Sequence, residues 1–140
     1  MKFFLYFILF FFIDIKSHEF NPAHLVVDQL ESEKFIYEAN WMYPFKNIGK
    51  RGEVIFPKEC RTKSSDLYYQ GKYIKEKILL DCSKSLKGSS IEVINLSVLT
   101  DALITINFSN DDTFEGIVNN KNSIIEIPFK ESYLPTAYIF

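Results

Sequence analysis

Hydrophobic and polar residues alternate with a period of two over most of this chain, and that alternation predicts strands. In 34–42, Phe35, Tyr37, Ala39 and Trp41 fall on one face, with Glu38 and Asn40 on the other. In 102–108, Ala102, Ile104, Ile106 and Phe108 share a face against Thr105 and Asn107. Further strands are predicted over 23–29, 53–56, 73–82, 90–96, 113–118 and 123–128. Residues 72–80 hold Lys, Glu and Leu and so also suit a helix. The segment is short and its neighbours are β-rich, so a strand is expected there. The breaks at 47–52, 87–88, 109–112 and 119–122 are rich in turn formers. The last two predict hairpins, and with them a three-stranded meander at the C-terminal end. Short strands at this spacing, with no helical stripe, predict an all-β fold: a two-sheet antiparallel Ig-like β-sandwich.

Residues 3–13 (FFLYFILFFFI) break the alternation as one continuous apolar run, preceded by Lys2 and followed by Asp14, Ile15, Lys16 and the small Ser17. As a helix, such a run covers only about half of a ~30 Å hydrocarbon layer. The order of positive, apolar and small residues predicts a secretory signal-peptide helix over 1–17. An uncleaved anchor or a lipid-embedded segment is the alternative. Cleavage after Ser17 makes His18 the first residue of the mature chain. The expected division is then a signal at 1–17, a β-sandwich domain at 18–130 and a tail at 131–140 (ESYLPTAYIF), which Pro135 interrupts. About 120 residues allow one domain with a real core and are too few for two. The expected location is the periplasm or the extracytoplasmic face of a membrane.

Charge narrows the partners. The chain has 16 basic and 18 acidic residues and a formal net charge of −2. Loss of Lys2, Lys16 and Asp14 with the leader moves this to about −3, with no clustered basic surface of the kind that nucleic acid requires. The segment 58–63 (KECRTK) is locally basic. It reads as a solvated loop, with a phosphate or lipid-headgroup contact as the sharper alternative. Cys60 and Cys82 are the only cysteines, and an even count in an exported domain favours a disulfide. Two free thiols, or half of a metal site, are the alternatives. No C-x-x-C pair is present to support a thiolate site. A bridge closing a loop of about 22 residues stabilises by about 3 kcal/mol in the chain-entropy description.

Candidate chemistry is sparse. A mature N-terminal His18 offers an α-amine and an imidazole nitrogen that together suit Cu²⁺ or Ni²⁺, with His24 or Glu19 as further ligands. The plainer expectation is a frayed His18 and an exposed His24 on a strand. No Ser, Cys or Asp motif sets a nucleophile beside a base, so no catalytic residue is predicted. Asp111-Asp112 and Glu31-x-Glu33 fall in turn-like segments and are expected to be solvated carboxylates. No glycine-rich phosphate loop occurs. The aromatic row Phe35, Tyr37 and Trp41 is expected in the core rather than on a sugar-stacking surface.

Several short motifs, in order, carry a family resemblance. The start His18-Glu19-Phe20-Asn21-Pro22-Ala23 resembles the HE-x-x-PA opening of HupE/UreJ-like bacterial membrane proteins. Pro57-Lys58-Glu59-Cys60 resembles their P-x-x-C step. Cys82, with Leu86-Lys87-Gly88-Ser89-Ser90-Ile91-Glu92-Val93, is similar to their C…L-x-G-x-x-I-x-I stretch. Asn95-Leu96 and Thr100-Asp101-Ala102-Leu103-Ile104 resemble GL…TDVLV, with Asn95 in place of glycine, and Ile125-Glu126-Ile127-Pro128 sits where that domain closes. The resemblance spans about 18–138 and covers only the extracytoplasmic N-terminal domain. In full-length relatives it is followed by membrane helices bearing His and Asp residues, which the family's name associates with nickel or cobalt uptake. It therefore implies a non-enzymatic accessory or interaction domain that contacts a membrane protein partner or a missing transmembrane region. The alternative is a periplasmic Ni- or Cu-binding module using His18. Residues 133–140 look like the approach to a first membrane helix, and no transport residue can be carried over. A shortened product and a free-standing exported domain both fit. The sequons at Asn95 and Asn107 lie within predicted strands and, given a bacterial resemblance, are read as chance.

Overall fold

A computed structural model describes residues 22–31, 33–44 and 51–129. The proposed signal helix, His18 and the tail at 131–140 lie outside these residues. Within them the chain is all-β. Its strands are β1 (Ala23–Glu31), β2 (Lys34–Pro44), β3 (Glu53–Ile55), β4 (Cys60–Gln70), β5 (Tyr73–Cys82), β6 (Ser90–Ile94), β7 (Ala102–Asn107), β8 (Thr113–Val118) and β9 (Ile124–Glu126). The expected strands are all present, and 73–82 is β5 rather than a helix. One strand, β4, was not anticipated. Residues 58–63 read as a basic loop, but from Cys60 onward they belong to an eleven-residue strand.

The strands form a six-stranded sheet in the order β4-β5-β2-β1-β7-β8 and a three-stranded sheet in the order β3-β6-β9. Two expectations about pairing are corrected. The sheets are not wholly antiparallel, because β1 and β7 run parallel, from Ala23 opposite Ala102 to Asp28 opposite Asn107. Asn107 Nδ2 donates to Asp28 Oδ1 at 2.7 Å at the end of that pair. The C-terminal meander is also interrupted. β7 and β8 form the expected hairpin, whereas β9 leaves β8 and pairs with β6 in the other sheet. The 119–122 break is a crossover corner, in which Asn119 Oδ1 accepts from the N–H groups of Lys121 and Asn122.

Alternation explains the packing. On β2, Tyr37, Ala39, Trp41 and Tyr43 point inward, and on β7 Ala102, Ile104 and Ile106 do the same. Ala23, Leu25 and Val27 of β1 lie between them, and Ile91 and Val93 of β6 join the same cluster from the smaller sheet. The sheets thus share one core, in a sandwich-like arrangement. Ile125 of β9 reaches over Gly116 of β8. Trp41, only 1% exposed, donates its indole N–H to the Gly52 carbonyl at 3.0 Å and so ties β2 to the approach to β3. β6 ends at Ile94, and Asn95 follows with φ at 61°, so the first sequon begins in a turn rather than within a strand.

Candidate functional site

One end of the sandwich is organised around the join between β4 and β5. Cys60 opens β4, Cys82 closes β5, and the register sets them directly opposite each other. They are bonded as a disulfide, with Cα atoms 3.9 Å apart. The expected pairing therefore exists, as a staple between adjacent strands of one sheet. A cystine accords with an oxidising, exported location.

The chain on either side of the cystine builds the site. Before it, the Cys60 N–H reaches the Pro57 carbonyl at 3.0 Å, so Lys58 and Glu59 form the tip of a tight turn. After it, the Ser83 N–H donates to the Glu59 carbonyl at 2.9 Å and extends the ladder by one bond. The segment 83–89 (SKSLKGS) then folds on itself. Ser85 Oγ accepts from the Lys87 N–H, and Ser89 bonds back to the Leu86 carbonyl through both its N–H and its hydroxyl. Leu86 is the anchor. Its side chain is 1% exposed, and its N–H donates to the Tyr37 hydroxyl at 3.2 Å. Burying a leucine in this way stabilises by roughly 1.5–3 kcal/mol.

Gly88 follows with φ at 83°, a conformation that side chains disfavour, and its N–H donates to the Ile127 carbonyl at 2.8 Å. The Phe129 ring occupies the space that a Cβ at Gly88 would need. The result is an open groove of about 760 Å³. Phe35, Pro57, Leu86 and Phe129 supply apolar lining, and Lys58, Glu59 and Lys84 stand at exposed positions around it. Phe129 itself is 78% exposed. Lys87 also lines the groove, but its ammonium lies 2.6 Å from Asp112 Oδ2 and 4.8 Å from the centre of the Phe108 ring.

The candidate residues fare differently. The basic segment is divided: Lys58 faces the groove, whereas Arg61 and Lys63 lie 3.6 Å and 3.5 Å from Asp81. Asp112 is not the solvated carboxylate expected, because it is largely buried against Lys87. Glu31 meets Lys34 at 3.7 Å on the surface, as a turn carboxylate should. His24 sits on the outward face of β1, partly buried, opposite Met42 and Leu103. Among the described residues, no group of three or more His, Cys, Asp and Glu side chains is placed to hold a metal ion. His18 and Glu19 lie outside the described residues. Tyr37 and Trp41 of the aromatic row are core, while Phe35 remains more than a third exposed and lines the groove.

The groove's lining contains no histidine. Apolar walls flanked by two exposed ammonium groups against the one carboxylate of Glu59 suit retention of an amphiphilic segment with an acidic excess, since burial supplies affinity and the charges supply orientation. Sequence reasoning missed this site because its parts come from residues 35, 57–60, 83–90 and 129, which no local motif joins. No family model, curated protein or solved structure matches the chain, so the HupE/UreJ-like resemblance stands on its short motifs alone.

Proposed function

We propose that this chain is an exported, non-enzymatic interaction domain working at the outer face of a membrane, similar to the soluble head of HupE/UreJ-like proteins. Its contact face is the groove beside Cys60–Cys82. The observation that carries this reading is the grouping of exposed Phe129 and Phe35, the latter a little over a third exposed, with Lys58 and Lys84 around one rigidly anchored loop. An exposed phenylalanine next to uncommitted apolar wall marks contact surfaces more often than bare solvent-facing sheet. The partner is a membrane protein that presents an acidic segment with apolar side chains.

An immunoglobulin-like arrangement is part of the proposal. Two sheets around a buried Trp41 support it, although the cystine lies within one sheet and antibody-type domains place theirs between sheets.

Site-specific photo-crosslinking in the producing cells tests the contact. A photoreactive phenylalanine analogue replaces Phe35 or Phe129, and in a control it replaces Ile117 on the outer face of β8. A membrane-protein adduct is expected from the groove positions and not from position 117. Adducts of equal yield at all three positions, or a chain retained in the cytosol, would sink the reading.

A further inference from the structure

We infer that the protein pairs with a second copy of itself through β4, in an antiparallel, two-fold arrangement with Leu67 on the axis. β4 is a terminal strand of the six-stranded sheet, and after Cys60 each of its residues is exposed. Terminal strands normally carry several charges or a proline to prevent pairing. Between Ser65 and Gln70 this strand has one charge, Asp66, and no proline, while Leu67, Tyr68 and Tyr69 are 42%, 45% and 63% exposed.

The backbone fixes which groups face outward. Gln70 and Tyr73 flank a two-residue loop that starts with Gly71 at φ 58°, the residue a type II′ turn needs first. They therefore form a hydrogen-bonded pair, and pairs alternate along the ladder. Counting back, the N–H and C=O groups of Ser65 and Leu67 point away from β5, towards the open edge. At the other end the register shifts between Thr62 and Ser64, and such a bulge twists the strand and stops further pairing. The segment available to a partner is thus about 64–70.

That segment is self-complementary in one register. With Leu67 opposite its own copy, Ser65 falls opposite the partner's Tyr69 and Asp66 opposite the partner's Tyr68. The outward backbone groups of Leu67 then meet those of its copy as a hydrogen-bonded pair. On the outer face, Asp66 has Lys77 as its neighbour within the sheet, and Tyr68 has Lys75. A row of Lys77, Asp66, the partner's Tyr68 and the partner's Lys75 results, with Lys77 set between Asp66 on β4 and Glu38 on β2, whose carboxylate lies 3.6 Å from its ammonium. On the inner face, Glu76 beside Leu67 already accepts from Ser65 Oγ at 2.7 Å. The two neighbouring two-fold registers are worse. One is centred on Asp66 and opposes two carboxylates; the other is centred on Tyr68 and sets Ser65 against the turn at the partner's Gly71.

Analytical ultracentrifugation of the purified protein, with cross-linking, tests this directly. The wild-type protein is expected to sediment at twice the monomer mass. Leu67→Lys, and separately Ser65→Pro, which removes the outward N–H together with the hydroxyl bond to Glu76, should return it to a monomer with unchanged circular dichroism, whereas Ser65→Ala, which removes the hydroxyl alone, should stay paired. Opposed Cα atoms about 5.5 Å apart are within disulfide reach. Oxidised Leu67→Cys should therefore give at least about tenfold more covalent dimer than Asp66→Cys or Tyr68→Cys alone. The Asp66→Cys/Tyr68→Cys double variant should cross-link. A wild-type monomer at every soluble concentration overturns the inference. So does equal cross-linking at the three positions, or a dimer that neither Leu67→Lys nor Ser65→Pro disturbs.

Discussion

Reduction of the Cys60–Cys82 bond should cost stability and release β4 before the rest of the sheet. The two cysteines are 22 residues apart, and the chain they enclose is the β4–β5 hairpin. Cross-linking a loop of that length lowers the entropy of the unfolded chain by an amount equivalent to about 3 kcal/mol. For a domain of this size, that corresponds to a melting temperature lower by roughly 10–15 °C. The structure adds where the loss appears. β5 is held from β2 through buried Ile74, Ile78 and Leu80, but β4 has an exposed surface along nearly its whole length. Within one copy its attachment therefore depends on ladder bonds and the cystine, and in the unpaired Leu67→Lys variant, without the cystine, it opens as a local unit. Hydrogen exchange read by mass spectrometry, with and without reductant, should show residues 60–70 losing protection while β1, β2 and β7 keep theirs. An unchanged melt with both thiols shown to be free would refute the argument. So would loss of protection spread evenly over all strands.

Four further outcomes are expected. Gly88→Ala puts a methyl group into the Phe129 ring at a left-handed backbone position, and the urea midpoint should drop by the equivalent of about 1–3 kcal/mol. Asp112→Asn leaves the largely buried Lys87 ammonium without its carboxylate and should destabilise by roughly 1–2 kcal/mol; a change within error in chemical denaturation would show the pair to be inert. Burial raises the phenol of Tyr43 above its ordinary value of 10.0, against the downward pull of Arg51. The folded state therefore resists ionisation of this group, its stabilisation is complete below pH 10, and it declines as pH rises through the higher folded value. Tyr43→Phe should flatten that part of the alkaline stability profile, and an identical slope would count against it. Intact-mass measurement of the protein recovered from its producing cells should find a chain that starts at His18, and a retained leader would remove the signal-peptide reading.

Local burial made part of the fold readable along the chain. Where one face of a strand is buried and the other wet, side chains must alternate, and the alternation is readable: hence β2 and β7, with Tyr37, Trp41, Ile104 and Ile106 correctly inward. The cystine was legible for a different reason, since two cysteines behind a leader that reads as an export signal have one bridge available to them. β4 was illegible because it buries neither face, so nothing in Lys63, Ser64, Ser65 and Asp66 distinguishes a strand from a loop. Only pairing with β5 makes it one. The parallel contact of β1 with β7, the crossing of β9 to the second sheet and the Lys87–Asp112 ion pair all join residues far apart in the chain. Such partners are chosen by the closing of a shared core, after loop-closure entropy has been overcome, and no local pattern encodes them. The groove belongs to the same class. Its walls meet only because Leu86 is drawn into the core beneath Tyr37 and Phe129 is seated on a glycine that has no side chain to exclude it.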